Sequence, residues 1–211
     1  MARRQIDDAY ARQARREGFA ARSAYKLLQI QEKWKIIQPG DRVLDLGCAP
    51  GSWLQVAAEI VGPRGAVAGV DLQRVKVSGG PNVRAVEGDA FEIPPEELLD
   101  LAGLGPDGRF DVLLSDMAPR TTGDPRSDSF VSIRLAEGVL AAAPRLLKPW
   151  GSMVVKVFEG EAYPEFLASV ARSFKTAKGY RPKATRDVSR EMFVIGRGFQ
   201  PPQGSSDRPN P

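Results

Sequence analysis

The stretch Val43-Leu44-Asp45-Leu46-Gly47-Cys48-Ala49-Pro50-Gly51-Ser52-Trp53 decides the fold. An apolar run ends beside a carboxylate, passes through a glycine loop and opens a helical pattern. Glycine lets the backbone approach a ligand closely, and the first turn of a helix has free N–H groups. This order indicates a nucleotide-type cofactor site at the carboxyl end of the first strand. The spacing Gly47-x-x-x-Gly51 of this loop differs from the dinucleotide fingerprint G-x-G-x-x-G. No G-x-x-x-x-G-K-[ST] occurs in the sequence, so a P-loop is excluded.

Around this stretch, short apolar runs alternate with segments of helical length. The expected strands are residues 43–46, 66–70, 83–86, 110–115, 153–158, 174–178 and 192–195, and the expected helices are 21–35, 52–61, 95–101, 129–147 and 161–172. This alternation predicts an α/β fold with a mainly parallel seven-stranded sheet covered on both faces. Because only a turn-rich basic stretch separates the last two strands, we expect an antiparallel strand at that edge.

The composition excludes several kinds of chemistry. The 211 residues include one cysteine and no histidine, which rules out an intrachain disulfide, a tetrahedral Cys/His zinc site and histidine-dependent nucleophilic catalysis. No metal site is predicted, and proton transfer falls to Lys, Asp, Glu, Tyr, Cys48 or water. The sequence starts without an apolar leader, and no apolar run approaches the roughly 18 residues that span a bilayer. We therefore expect a soluble cytoplasmic protein without membrane contact.

Positive charge is concentrated in two segments. The net charge is +4, but residues 1–35 carry +5 and residues 172–190 carry +6, whereas the remainder carries −7. This distribution favours a polyanion partner, because phosphate contacts supply most sequence-independent affinity, although two solvated surfaces are the alternative. The candidates for phosphate contacts are Arg3, Arg4, Arg12, Arg15, Arg16, Arg22 and the basic residues from Lys175 to Arg186. Phe19, Tyr25 and Tyr180 are candidates for base stacking, with core packing favoured for Tyr25.

The chain is predicted to have three parts. Residues 1–20 form a basic N-terminal arm, which we expect to be disordered through about Glu17 until RNA binds. Residues 21–199 form a single domain. Residues 200–211 are proline-rich and contain too few apolar groups to fold.

Carboxylates follow three successive strands at Asp45, Asp71 and Asp89. Asp71, some 20 residues after the glycine loop, is placed to accept the ribose hydroxyls of an adenosine. Asp89 is placed to accept the adenine amino group, which leaves Asp45 for the amino-acid end of the ligand. Taken singly, each acid is better explained as a cap or turn residue. The ordered set resembles the class I S-adenosylmethionine-dependent methyltransferase (Rossmann-like) fold. The resemblance implies S-adenosyl-L-methionine as cofactor, with Asp45, Gly47, Pro50, Gly51, Trp53, Asp71, Leu72, Asp89, Ala90 and Asp116 as binding residues.

Four further residues are candidates for a catalytic role. Lys156 lies inside the apolar strand 153–158, where an unpaired ammonium is costly, and Asp116 ends the neighbouring strand. Lys26 lies on the first amphipathic helix and Glu191 begins the last strand. Three of them have a structural alternative. Lys156 at a strand end can extend to solvent, and Lys26 and Glu191 are common types of surface residue at their positions.

These residues resemble the mark of a known family. The motifs SAYKL (23–27), SDMAP (115–119), VVKVFEG (154–160) and SREMFVI (189–195) match the FtsJ-like RNA ribose 2′-O-methyltransferases, whose signature is a Lys-Asp-Lys-Glu tetrad. The match runs from about Arg22 to Gly198. It implies Lys26, Asp116, Lys156 and Glu191 as catalytic residues. The short ribosomal type is most similar, which implies a uridine of large-subunit ribosomal RNA, in the A-loop of the assembled large ribosomal subunit, as substrate.

Alternatives remain open. Relatives with these motifs act on tRNA, and a non-catalytic RNA-binding protein can share the fold. A nicotinamide oxidoreductase is disfavoured by the glycine spacing, and amine methylation by the absence of an Asn/Asp-Pro-Pro-Tyr motif. We hypothesise that Lys156 removes the hydroxyl proton with its pKa lowered by Lys26; alternatively, it stays charged and orients the oxygen while water takes the proton. A monomer is the simplest expectation.

Overall fold

The computed structural model describes residues 3–75, 80–186 and 189–202. Within these ranges, helices and strands alternate as the sequence predicts. The elements are α1 (Arg3–Glu17), α2 (Ala24–Trp34), β1 (Arg42–Leu46), α3 (Ser52–Val61), β2 (Ala66–Asp71), β3 (Val83–Glu87), α4 (Pro95–Leu101), β4 (Phe110–Ser115), α5 (Pro125–Leu146), β5 (Leu147–Phe158), α6 (Tyr163–Ser173), β6 (Phe174–Tyr180) and β7 (Glu191–Phe199). None of the helices described in these ranges has the length and apolar character to cross a bilayer.

The strands form one sheet in the order β3-β2-β1-β4-β5-β7-β6. Strands β1 to β5 pair in parallel, and β7 runs antiparallel to both β5 and β6. The predicted mainly parallel sheet with a hairpin at one edge is confirmed, although β7, the reversed strand, lies one position inside that edge. The strand order reverses between β1 and β4, which is where open α/β sheets bind ligands.

Helices cover both faces of this sheet. Leu44 and Leu46 join a core cluster with residues of α4, α5 and α6, whereas Val43 joins a second cluster with residues of α2 and α3. This alternation follows from the two-residue period of a strand. Burial on both faces explains why the central strands read as nearly continuous apolar runs.

Several boundaries differ from the sequence expectations. The α5 helix begins at Pro125, four residues early, because the Asp124 side chain accepts the N–H groups of Arg126 and Ser127 and proline suits the first helical position. Expected disorder through Glu17 is wrong for Arg3–Glu17, which is helical: Ala14 of α1 is buried against Tyr25 and Ala184. Residues 203–211 of the expected disordered tail lie outside the described residues.

Candidate active site

The glycine loop is fixed across the ends of β1 and β2. The N–H groups of Gly47 and Cys48 donate to the Val70 carbonyl over 2.8 and 3.1 Å, and the Ala49 N–H donates to Asp71 Oδ2 over 2.9 Å. Gly47 has a φ of 81°, and a Cβ there would lie 2.1 Å from Met117 Cγ. A side chain at this position would therefore meet both backbone strain and the residue that follows Asp116.

Asp45 is a buried carboxyl group without a compensating partner. It is 0% exposed, and neither carboxyl oxygen has a hydrogen-bond partner in the described structure. Burial raises its pKa well above the ordinary value of 3.8, and the charges of Asp116 and Asp71 raise this pKa further. A cationic group bound here would relieve the electrostatic cost of a cluster of three acids.

The other two strand-end acids hold turns at the same edge of the sheet. Asp71 accepts the N–H of Gln73 as well as that of Ala49, and Asp89 Oδ1 accepts the N–H of Phe91 over 2.9 Å. Asp71 and Asp89 therefore both accept hydrogen bonds from turn N–H groups, which is the structural alternative that the sequence offered for each acid. Because β1, β2 and β3 are parallel neighbours, their three terminal acids line one edge, as a shared ligand site requires.

Apolar side chains adjoin these acids. Leu72, which follows Asp71, is 71% exposed, and Ala90 packs partly against the core cluster. Phe91 is also exposed, and its ring lies against Gly138 of α5. Sequence reasoning missed Phe91, although an aromatic residue directly after Asp89-Ala90 was available as a signal. These side chains give the acidic edge an apolar border suited to a planar ring.

Trp53 lies beneath the loop, inside the protein. It is 2% exposed, its indole N–H donates to the Ser23 carbonyl over 2.9 Å, and its ring centroid lies 5.7 Å from that of Phe193. The Oγ atoms of Ser23 and Ser52 are 2.7 Å apart. Trp53 and Ser52 thus connect α3, which begins at the loop, to α2, which carries Lys26. A cofactor contact by Trp53 stays a prediction.

The structure brings the four predicted catalytic residues together. Lys156 Nζ lies 3.0 Å from Asp116 Oδ1 and also donates to the Asp116 main-chain carbonyl. Lys26 Nζ lies 2.8 Å from Glu191 Oε2 and 3.8 Å from Asp116 Oδ1. Both lysines are buried, whereas the two carboxylates are each 18% exposed. The tetrad is therefore a compact cluster of alternating charge that reaches solvent through its acids.

The ring of Phe193 packs beneath this cluster. Its ring centroid lies 5.8 Å from Lys26 Nζ, within the range of a cation–π contact. Phe193 of β7 is fully buried, and it pairs in register with Lys156 of β5. The ring thus supports Lys26 from below and leaves its ammonium directed at the two carboxylates.

The two basic segments meet beside the tetrad. Arg22 donates to the Ala184 carbonyl over 2.8 Å, and the Ala184 N–H donates to Gln29 Oε1 over 3.0 Å. The connection between β6 and β7 therefore lies on α1 and α2. Tyr25 is buried in this contact and packs as expected, and Phe19 lies edge-on to it. Exposed Arg12, Arg15 and Arg16 line a hollow on α1. We call this combined face of α1, α2 and the β6–β7 connection the basic surface.

Comparison with known proteins identifies the family. The model of the FtsJ-like methyltransferases matches residues 19–199, nearly the whole described chain. The chain belongs to the FtsJ-like methyltransferase family. It is therefore a methyltransferase, with the class I fold that the resemblance implied.

Relatives within the FtsJ-like family are similar over most of their length. The chain is 48% identical over 189 residues to "Ribosomal RNA large subunit methyltransferase E" of Desulfatibacillum aliphaticivorans, covering 90% of this chain and 89% of that protein. It is 46% identical over 197 residues to the protein of the same name from Methanothrix thermoacetophila, covering 93% and 74%.

Solved structures support the fold. A Plasmodium falciparum protein described as a putative ribosomal RNA methyltransferase superposes with a TM-score of 0.73 at 24% identity, covering 86% of this chain and 98% of that one. At this identity the similarity shows the fold alone.

Proposed function

We propose that this protein transfers a methyl group from S-adenosyl-L-methionine to the ribose 2′-hydroxyl of a uridine in large-subunit ribosomal RNA, in the A-loop of the assembled large subunit. The observation that carries the proposal is the tetrad, in which Lys156 Nζ lies 3.0 Å from Asp116 Oδ1 at the carboxyl edge of the sheet. The substrate rests on the relatives, which are named as large-subunit ribosomal RNA methyltransferases.

The chain's residues fit S-adenosylmethionine. Asp45 offers a buried, unpartnered carboxyl group beside the glycine loop, and the proposed ligand has cationic amino and sulfonium groups. Asp71 would hold the ribose hydroxyls and Asp89 the adenine amino group, with Leu72, Ala90 and Phe91 along the ring. When bound, S-adenosylmethionine supplies a methyl group activated by its positively charged sulfur.

The tetrad has to orient the 2′-oxygen and allow its proton to leave. A ribose hydroxyl is a weak nucleophile, so correct orientation supplies much of the rate enhancement. Asp116 fixes Lys156 through its carboxylate and its main-chain carbonyl, and Glu191 fixes Lys26. With all four groups ionised, two positive charges balance two negative ones. We propose that Lys156 stays charged and directs an oxygen lone pair toward the methyl carbon, while water accepts the proton.

The pH–rate profile tests this assignment. If Lys156 stays charged, kcat shows no ionisation that depends on Lys156 between about pH 6 and 9. If Lys156 is the base, kcat rises with pH through one ionisation, and this dependence disappears in Lys156→Ala, whose residual rate is measured under the same conditions.

The basic surface would position the RNA. It adjoins Lys26 and Glu191, because α2 carries Lys26 and the β6–β7 connection ends at Glu191. Phosphate contacts fix the orientation of a nucleic acid without reading its sequence. An RNA strand bound across this surface would thus place a ribose next to the tetrad.

The substrate is tested by transfer of labelled methyl. Purified protein is given labelled S-adenosylmethionine with large ribosomal subunits or with tRNA, both from a strain that lacks the endogenous enzyme. We expect label in ribosomal RNA as 2′-O-methylribose. Label in tRNA alone would preserve the chemistry and overturn the substrate. Absence of transfer to both, with the cofactor bound, would support a binding protein.

A further inference from the structure

A second cavity lies at the carboxyl edge of the sheet. It has a volume of about 480 Å³ and opens between the start of α5, the β5–α6 connection and the residue before β7. Its lining residues belong to neither the tetrad nor the glycine loop. It nevertheless adjoins the tetrad, because Gly160 follows Lys156 by four residues and Arg190 directly precedes Glu191. Its volume is in the range of ligand pockets, roughly 300–1,000 Å³.

The walls of this cavity are held in place by hydrogen bonds. The Phe158 N–H donates to Ser132 Oγ over 2.9 Å, and Ser129 Oγ donates to the Phe158 carbonyl over 3.0 Å. The Glu159 N–H donates to the Arg190 carbonyl over 2.8 Å. Direct hydrogen bonds therefore connect the start of α5, the end of β5 and the residue before β7.

The lining combines an aromatic ring with two guanidinium groups. Phe130 is 61% exposed although it is a large apolar residue. Arg126 and Arg190 are exposed as well. Arg126 contacts Glu161 at 3.5 Å, but both side chains are more than 80% exposed, so this pair is weak. In the part of the chain that the structure describes, Arg190 forms no ion pair. Two arginines are thus available to an anion beside an exposed ring.

The α5 backbone itself does not account for anion binding here. Asp124 already accepts the N–H groups of Arg126 and Ser127. An anion in the cavity would have to be held by side chains. Guanidinium groups suit phosphate, and a free aromatic face suits an unpaired base.

We propose that this cavity is a subsite for an unpaired nucleotide of the RNA substrate, next to the nucleotide that presents its 2′-hydroxyl to the tetrad. The base stacks on Phe130, the phosphate lies between Arg126 and Arg190, and the Glu161 carboxylate accepts from base N–H groups. This inference rests on the proposed function for the identity of the polymer. It adds a binding site beside the ends of β5 and β7, whereas the cofactor acids lie at the ends of β1, β2 and β3.

The test compares Phe130→Ala and Arg190→Gln with matched controls. Trp150→Ala removes an aromatic ring that is 66% exposed far from the cavity, and Arg134→Gln neutralises an exposed arginine farther along α5. Methyl transfer to large ribosomal subunits gives kcat and KM at saturating S-adenosylmethionine. Binding of a short fluorescein-labelled single-stranded RNA, and of a duplex of equal length, gives Kd by anisotropy without catalysis.

We expect Phe130→Ala to raise KM and the single-strand Kd about tenfold, because an unpaired base loses the aromatic face on which it stacks. Duplex affinity, kcat, Tm and cofactor affinity should stay unchanged, as should both controls. Arg190→Gln should weaken single-strand binding and lower its salt dependence. If native protein methylates subunits but both cavity variants match it in KM and Kd, the subsite is overturned. If native protein methylates nothing, the proposed function fails, and the anisotropy comparison still decides whether the cavity binds unpaired RNA.

Discussion

Lys26 Nζ lies 2.8 Å from Glu191 Oε2, which joins α2 to the first residue of β7. The two side chains are 9% and 18% exposed. Loss of one partner from a buried ion pair leaves the other charge uncompensated, at a cost of about 3–5 kcal/mol where burial is complete. The contact connects α2, which belongs to the basic surface, to β7, which pairs with the strand β5 that contains Lys156. It therefore has consequences for both catalysis and stability.

Glu191→Gln tests this connection, because it keeps the shape of the side chain and removes its charge. We expect kcat to fall about 100-fold, as a displaced Lys26 disturbs the position of Asp116 and Lys156. KM for S-adenosylmethionine should stay unchanged. Glu137→Gln, which alters an exposed pair with Arg134, is the control and should leave kcat as it is. A native kcat in Glu191→Gln would remove Glu191 from the site.

Asp45 makes stability depend on pH. Its folded-state pKa is raised above the ordinary value of 3.8, so the folded protein holds this proton more tightly than the unfolded chain does. The contribution of Asp45 to the stability of the ligand-free protein is therefore fully present below about pH 4 and is lost as the pH rises through the folded-state pKa. Asp45→Asn removes this dependence and should be more stable than native protein at pH 7, with an advantage that shrinks as the pH approaches about 4.

Thermal unfolding of ligand-free protein across this pH range measures the effect. Asp45→Asn removes a buried unpaired negative charge at pH 7, which is worth about 1–3 kcal/mol. For a protein of this size each kcal/mol corresponds to roughly 2–4 °C in Tm. Asp107→Asn, at an exposed position, should show no such trend. An Asp45→Asn variant whose Tm difference from native is the same at every pH would contradict the account. Its affinity for S-adenosylmethionine should fall, since the cationic ligand loses its carboxylate.

Comparison of Gly47→Ala with Gly103→Ala separates the cost of backbone strain from the cost of close contact. A non-glycine residue at positive φ costs about 1–2 kcal/mol, and at Gly47 the added Cβ also meets Met117 Cγ at 2.1 Å. Gly103→Ala is the matched control, with a φ of 67° and no atom within 4 Å of its Cβ. Urea unfolding should show a larger loss for Gly47→Ala, and adding Met117→Ala should recover the excess. Equal losses in the two single variants would contradict the contact.

Substitution of Arg12, Arg15 and Arg16 tests whether the basic surface binds RNA. Conversion of all three to Gln should weaken RNA binding and reduce the slope of log K against log salt by about 2, since each phosphate contact with a single strand contributes about 0.7. Cofactor affinity should not change. The same substitution of Arg64, Arg134 and Arg145, which are exposed and lie outside both basic segments, serves as the comparison. An unchanged slope in the Arg12/Arg15/Arg16 variant would separate α1 from RNA binding.

Much of the fold was predictable because its signals are local. The glycine loop, Asp45, Asp71, Asp89 and Lys156 all lie at or near the carboxyl end of a strand. Parallel strands bring their carboxyl ends to one edge of the sheet. The contact of the four tetrad residues followed from that topology and from the family resemblance. The start of α5 at Pro125 was also readable, since Asp124-Pro125 is a capping signal.

What the sequence did not predict depends on contacts between distant segments. The helix α1 is folded where disorder was expected, because Ala14 packs on Tyr25 and Ala184. No local sequence pattern reveals this contact. Trp53 is buried in a core cluster, and its indole N–H donates to the carbonyl of Ser23, which directly precedes α2. The cavity at Phe130 is built by three separate segments, so its exposed ring reads in the sequence as one more apolar residue of an amphipathic helix.

The most direct test of the central claim is methyl transfer by native protein and by Lys156→Ala to large ribosomal subunits, with the modified nucleoside identified after digestion. Lys156 pairs with Asp116 at 3.0 Å, so its removal should lower kcat by about 100-fold or more without changing cofactor affinity. The account predicts 2′-O-methyluridine from the native protein and its near absence from the variant. Equal amounts of 2′-O-methyluridine from both proteins, or a methyl group on a base, would contradict it.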